Sequence, residues 1–451
     1  MNLNLKKLSE ICNGELINFN NEDIIIKSFS KDTRTISAGD VYIGINGDNF
    51  DGNKFYSDAF KNGAICAILE KASYDYKCMD KPIILVDNAI NTLKSIGSYY
   101  RDNSKATFIA VTGSVGKTST RDMIYSVVSK KYKSLKTEGN FNNNIGLPLT
   151  LTRLTDEECA VIEMGMNQLG EINYLTNITK PHIAVITNVT TAHIGNLGSR
   201  ENILKAKLEI KDGLVSGGKL VINNDNDMLH KYYLENQSDE SIFTVGIDNQ
   251  SDVMATNLEI KNNNYYFDIL YQNNTYHASV PILSIAFVYN SLIAFACGVL
   301  TNIEPDKILD GISSFELTKN RLDFIKRDDN VTIINGSYNA SADSMKSSLE
   351  ILKNTSGDRK IAVLGDMLEL DEYSKELHEE VGKFTSGIDI LITVGDEAKY
   401  IASASSVNEI YTFDSNKDAI DKLKEIIKEN DVVLVKASNG MKFIDIVNAI
   451  K

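Results

Sequence analysis

Val111-Thr112-Gly113-Ser114-Val115-Gly116-Lys117-Thr118-Ser119 decides the fold. An apolar run, Thr107 to Val111, precedes it, and a helix-like stretch, Thr120 to Val128, follows it. Strand, glycine-rich turn and helix in that order let backbone N–H groups close around phosphate oxygens, with the anion at a helix N-terminus. In this reading Gly113, Ser114, Val115, Gly116 and Ser119 form the cradle. Lys117 meets the β- and γ-phosphates, and the Thr118 hydroxyl takes Mg²⁺. The general phosphate loop has four residues between its first glycine and Gly-Lys-Thr. Val111 stands where that glycine would be, so the motif is the shortened Thr-Gly-x-x-Gly-Lys-Thr.

A chain of 451 residues, 43% hydrophobic and 24% charged, is expected to form two to four globular domains with several cores. A net charge of −14 argues against a nucleic-acid or anionic-membrane surface. The five cysteines (12, 66, 78, 159 and 297) are scattered and form no CxxC pair. That suits a reducing cytoplasm and not a disulfide framework. Met1 to Glu10 is polar and does not read as a secretion signal. Val280 to Leu300 is long and apolar enough to mimic a membrane span, but Pro281, Ser284, Asn290 and Ser291 interrupt it. The expectation is a buried helix and no membrane insertion.

Residues 1–104 alternate short apolar runs with turns and read as a first domain. Within it, Asp40 to Asn46 and Ala64 to Leu69 read as strands, and Asn53 to Lys61 as a helix. Tyr99 to Lys105 reads as a polar join. Residues 105–317 carry the phosphate loop and the strand-like runs Ala160 to Glu163 and Ile183 to Asn188. Helical patterns lie between them, as in a parallel sheet wrapped by helices. Ligands of such sheets gather beyond the carboxyl ends of the strands, here Thr112, Glu163 and Asn188. Residues 318–451 alternate strands (Val331 to Ile334, Lys360 to Gly365, Ile388 to Val394, Asp431 to Lys436) with helices such as Ser341 to Leu352. This looks like a dinucleotide-binding sheet, but no GxGxxG follows its first strand, so no nicotinamide cofactor is inferred. The fold class expected is α/β.

A phosphate loop alone says nucleoside triphosphate. Glu163 and His193 each follow a strand, and a carboxylate and an imidazole beside a triphosphate are plausible Mg²⁺ ligands. A helix-capping Glu and a loop His fit the same positions. By spacing alone Lys207 reads as a solvated helix lysine.

The chain nevertheless resembles the Mur ligases, and within them the MurF type. The resemblance is carried by 111–119, by Thr137-Glu-Gly-Asn-Phe-Asn-Asn-Asn-Ile-Gly-Leu-Pro148, by Glu163-Met-Gly-Met-Asn-Gln-Leu-Gly-Glu-Ile172, and by the run from Thr187 through His193 to Ile210. Asp32-Thr-Arg34 and Asn46 to Asn53 are similar to the family's UDP-sugar segment. Tyr338-Asn-Ala340, Asp343-Ser-Met345 and Leu364 to Leu370 followed by His378 are similar to its third domain. The resemblance implies a three-domain Mur ligase architecture: an N-terminal UDP-sugar domain, a central P-loop parallel-sheet domain and a C-terminal Rossmann-like domain. It implies an ATP-dependent ligase joining D-alanyl-D-alanine to UDP-N-acetylmuramoyl-tripeptide. Lys117 would act on the phosphates, and Thr118, Glu163, His193 and a carbamylated Lys207 would hold Mg²⁺. Asn290 would read adenine and Arg321 would approach ATP. Asp32, Thr33, Arg34, Asn46, Gly47, Asp51, Thr137, Asn140, Asn142, Asn143, Tyr338 and Asn339 would meet the other substrates. The expected partners are those substrates, with no nucleic acid, for a monomeric cytoplasmic chain.

Four departures stand out. Ser284-Ile-Ala-Phe287 replaces the family's Gly-x-His-Asn, Gly336 replaces an acidic residue, Ser341-Ala342 replaces Asn-Pro, and Lys436-Ala-Ser-Asn439 replaces Lys-Gly-Ser-Arg. They leave two alternatives open: a relative using another amine or dipeptide, and a non-catalytic protein that binds UDP-muramoyl peptide.

Overall fold

The computed structural model describes residues 3–19, 25–47, 50–71, 80–262, 264–317 and 322–451. Arg321, Cys78 and the Asp48-Asn49 pair of the Asn46–Asn53 run lie outside the described residues.

Three sheets follow one another along the chain. The first has five strands in the order Glu15–Ile17, Ile83–Val86, Cys66–Glu70, Asp40–Ile43, Ser28–Ser30, all parallel except the first pair. Residues expected as one helix from Asn53 divide into a 3₁₀ turn, Gly52–Phe55, and an α-helix, Tyr56–Lys61.

The second sheet has nine strands, with Thr107–Thr112 between Ile183–Ile186 and Cys159–Glu163. These three strands are parallel and buried on both faces. Ile109, Val111, Val161 and Val185 enter one apolar cluster, while Phe108, Ala110, Ala160, Ile162, Ala184 and Ile186 enter another. That alternation is the period-two geometry of a strand covered on both sides. The expectation of a parallel sheet is incomplete at one edge. Val253–Lys261, Asn264–Tyr271 and Asn274–Val280 form an antiparallel meander there.

The Val280 to Leu300 run divides between the end of that meander and one helix, Ile285–Leu300. The helix is apolar because it lies between the sheet and the phosphate-loop helix Lys117–Val128. No helix among the described residues is long and apolar enough to cross a membrane.

The expected polar join at Tyr99 is instead the last turn of a helix, Ala89–Asp102. Arg101 is 9% exposed. Its guanidinium donates to the carbonyls of Thr179 and Lys180 and sits 4.1 Å from the Phe108 ring centre. These bonds satisfy the C-terminal carbonyls of the helix Glu171–Thr179, so the junction is packed.

The third sheet has six strands in the order Asp323–Lys326, Thr332–Asn335, Val432–Lys436, Lys360–Gly365, Ile390–Val394, Glu409–Phe413. Only the first pair is antiparallel. The helix Ala342–Asn354 lies against it, opened by a Ser341–Ser344 capping box.

Candidate functional site

The phosphate turn is fastened from below by the strand beside it. Ser114 N donates to Asn188 O at 3.0 Å, Val115 N donates to Asn188 Oδ1 at 2.9 Å, and the Thr187 hydroxyl donates to Val115 O at 2.8 Å. Thr190 N donates to Ser114 Oγ at 3.0 Å. Gly116 has φ +81°, a left-handed conformation that glycine adopts without strain. No side-chain hydrogen bond caps the helix that follows, and a helix N-terminus favours an anion. Lys117 folds back over the turn, with Nζ 2.8 Å from Gly113 O.

Glu163 ends its strand 1% exposed beneath this turn. Oε2 accepts from Thr118 Oγ1 at 2.8 Å and from Arg121 Nη1 at 3.1 Å, and Oε1 accepts from Asn142 Nδ2 at 2.8 Å. Arg121 in turn binds Asp122 through two nitrogens, and Lys136 Nζ reaches Asp122 at 2.9 Å. Two cations and two carboxylates thus form one network, in which Arg121, Asp122 and Glu163 are buried and Lys136 reaches solvent. Charges are tolerated there because each has a partner. The capping reading of Glu163 does not hold.

His193 has φ +64° at the start of the short helix Ile194–Leu197. Its Nδ1 is buried without a hydrogen bond, 3.4 Å from Glu369 Oε2. Burial, with Lys117 and Lys207 nearby, holds the imidazole below its usual pKa. Lys207 corrects the spacing argument: it is 1% exposed. Its helix, Arg200–Leu208, turns it into the protein, where burial first and Lys117 second hold the amine well below the usual lysine range.

Lys117, Glu163 and His193 border a cavity of about 1000 Å³ between the second and third sheets. Ser114, Val115, Gly116, Lys117, Ser119, Asn140, Asn142, Asn143, Glu163, His193, Asn290, Tyr338 and Asn339 line it. Asn290 Oδ1 accepts from the Thr120 hydroxyl at 2.8 Å, which fixes the amide's orientation. Thr118 and Lys207 stand behind the wall, as does Thr137, fully buried with its hydroxyl accepting from Glu163 N at 3.0 Å.

The first-sheet residues form a separate surface. Asp32 holds Arg34 through Nε at 2.9 Å and Nη2 at 2.7 Å, which pulls its carboxyl down to about 2. Thr33 O accepts from Asn62, Asn46 Nδ2 reaches Glu70 at 2.7 Å, Gly47 pairs with Phe50, and Asp51 accepts from Asn53 N. None of these six lines the cavity.

Sequence reasoning missed Arg121, Asn188 as the fastener of the turn, and Glu369. Arg121 was findable: it lies three residues beyond Thr118, on the same helix face. Glu369 reaches His193 only through tertiary packing.

A phosphate-binding turn facing a cleft shared with a second parallel sheet defines the class: a nucleotide-binding α/β protein with one site between two units. Residues 111–298 match the Mur ligase middle domain, and residues 320–439 match the Mur ligase, glutamate ligase domain. The chain belongs to the Mur ligase family. It is similar to the UDP-N-acetylmuramoyl-tripeptide–D-alanyl-D-alanine ligase of Bacillus subtilis, 36% identical over 98% of this chain and 97% of that one. The crystal structure of MurF from Acinetobacter baumannii superposes with a TM-score of 0.90 at 26% identity, covering 99% of this chain and 98% of that one. MurF ligase from Thermotoga maritima in complex with ADP gives 0.83 at 27%, covering 95% and 98%.

Proposed function

We propose that this chain joins D-alanyl-D-alanine to UDP-N-acetylmuramoyl-tripeptide at the expense of ATP, a step of peptidoglycan precursor synthesis in the cytoplasm. The observation that carries the reading is the convergence of the Lys117 turn, the Asn140–Asn143 loop and Glu163 on one cavity whose far wall is Tyr338 and Asn339. Full-length likeness to MurF enzymes supports it.

A carboxylate is a poor acyl donor because oxide would have to leave. Its oxygen attacks the γ-phosphorus, forming an acyl phosphate and releasing ADP. The dipeptide amine then attacks the acyl carbon, loses a proton and expels phosphate. Such chemistry requires positioning and charge neutralisation. Gly113 to Ser119 cradle the triphosphate, Lys117 meets its charge, and Asn290 holds the base. Asn140, Asn142 and Asn143 orient the muramoyl peptide, whose UDP end reaches the Asp32–Arg34 and Asn46–Asp51 surface. Tyr338 and Asn339 face the amine. The three units act as domains: 105–317 and 318–451 enclose the cleft, and 1–104 carries the separate surface.

The donor set fits magnesium. Thr118 Oγ1 and a Glu163 oxygen are hard donors 2.8 Å apart, and His193 Nδ1 is a buried atom without a hydrogen bond. Magnesium takes few protein ligands, completing its shell with phosphate oxygens and water. Thr118, Glu163 and His193 would hold it, and it would supply neutralisation of the triphosphate charge. Lys207 would join this set as a carbamate: its amine, held toward the neutral form by burial, would add to CO₂, lose a proton to solvent and present oxygen donors.

Phosphate release from ATP tests the reading. Release that requires both UDP-N-acetylmuramoyl-tripeptide and D-alanyl-D-alanine, and that Lys117→Ala abolishes, is expected. Release only with another amine would overturn the dipeptide assignment, and none with any amine would overturn the enzyme.

A further inference from the structure

The helix Ile285–Leu300 is held at its N-terminus by a carboxylate from the other side of the cleft. Glu350, on Ala342–Asn354, accepts from Ser284 Oγ at 2.8 Å through Oε2 and from Ile285 N at 3.2 Å through Oε1. Ser347 Oγ lies 2.9 Å from Ser284 Oγ, and Asn354 Nδ2 donates to Leu283 O at 3.2 Å. Ser284 is fully buried. Ile285 N–H is one of the donors that a helix leaves without an internal partner, and a carboxylate is favoured at that pole.

The place of this contact matters more than its strength. Ala286, Phe287 and Asn290 line the cavity from one helix, and Ser344, Ser347 and Ser348 line it from the other. The Glu350 contact joins the two helices next to these lining residues. The held helix is apolar on nearly every side and packed along its length, so a shift at Ser284 carries to Asn290, less than two turns away. Asn290 is itself held against Thr120 of the phosphate-loop helix. A continuous chain of contacts therefore runs from the third sheet's helix to the phosphate turn.

We propose that Glu350 is a positioning residue for the nucleotide: it ties the unit carrying Tyr338 and Asn339 to the helix carrying Asn290, so that seating of that unit tightens the base end of the site. The inference rests on the reading that a nucleotide occupies the cleft. Because Ala286 and Phe287 supply no hydrogen bond from their side chains, the base end depends on where Asn290 is placed.

Equilibrium binding of a fluorescent ATP analogue to the full chain tests this without requiring turnover. Glu350→Ala is expected to weaken binding about five- to tenfold, and Glu350→Gln, which keeps one acceptor, less. Binding of UDP-N-acetylmuramoyl-tripeptide should stay unchanged, and the melting temperature should fall only slightly, as expected for one lost helix-terminal contact. In turnover, KM for ATP should rise by the same factor with kcat nearly constant. Unaltered nucleotide binding in Glu350→Ala would overturn the proposal, as would equal losses for all substrates with a far lower melting temperature. Failure of the wild-type chain to release phosphate would count against the ligase reading alone, since the binding comparison stands without it.

Discussion

Lys207 and Arg121 are both cations with almost no exposure, and their settings differ. Arg121 is matched by Asp122 and Glu163. Lys207 is pushed toward its neutral form by burial and by Lys117. Removing each should have opposite effects on stability. Arg121→Met leaves two buried carboxylates short of a partner and should cost about 3–5 kcal/mol in a urea melt. Lys136 retains Asp122 at 2.9 Å, which favours the lower end of that range. Lys207→Met replaces a buried amine with an apolar chain of similar length, so stability should hold or rise slightly. Its phosphate release should nonetheless fall by about 10²–10³, the size of loss seen when one group stabilising transition-state charge is removed. Because the carbamate supplies carboxylate-like oxygens, a short carboxylic acid should restore part of the activity of Lys207→Ala. A stable Lys207→Met chain with full activity would remove Lys207 from the site.

At the scale of elements, the phosphate turn depends on how closely it approaches its neighbour strand. A Cβ built on Gly113 would stand 1.9 Å from Thr187 Oγ1, the hydroxyl that holds Val115 O. Gly113→Ala should therefore move the turn by a fraction of an ångström or more. A displacement of that order can cost about 10²-fold in turnover, with about 1–3 kcal/mol lost to overpacking. Paired thermal melts and steady-state rates would separate the two losses. This turn was legible in the sequence because its geometry is local: glycines, lysine and hydroxyl sit at fixed offsets between a strand and a helix. The strands Lys360–Gly365 and Cys159–Glu163 were legible for a related reason, since a strand covered on both faces is a continuous apolar run. The meander at residues 253–280 was less visible because its alternation is interrupted by polar residues and a register shift between Thr256 and Glu259. Its turn signal was present nonetheless: Gln272 and Asn273 both have positive φ between the paired residues Tyr271 and Asn274. The burial of Lys207 and the approach of Glu369 to His193 were not legible, because both depend on packing between segments far apart in the chain.

At the scale of the whole molecule, two histidines make stability depend on pH in two different units. His182 Nδ1 accepts from Phe108 N at 2.9 Å, beside the phosphate-loop strand. His378 Nε2 accepts from Met367 N at 3.0 Å, while its Nδ1–H donates to Ser374 O at 2.7 Å, in the third-sheet unit. A ring nitrogen that accepts a backbone N–H cannot be protonated without losing that bond. Burial is the first cause holding both imidazoles below their usual pKa, with the Arg101 charge adding to it at His182. The unfolded chain takes up these protons near pH 6.5, and the folded chain only at lower pH. Between those values the unfolded state binds more protons, so stability rises with pH through the window and falls as pH drops below about 6.5. With His193, also held below its usual pKa, three such groups give a slope of at most about 4.1 kcal/mol per pH unit. The carboxyls of Asp32 and Asp239, held down to about 2, begin to contribute only in more acidic solution. Urea melts at pH 7.5, 6.5 and 5.5 should show the decline. His378→Gln, whose amide oxygen can still accept from Met367 N, should flatten it by about a third, because one of three such protonation sites is gone. A slope unchanged in His378→Gln would mean that His378 is protonated equally in both states. The acid sensitivity would then belong to the central sheet and not to the molecule as a whole.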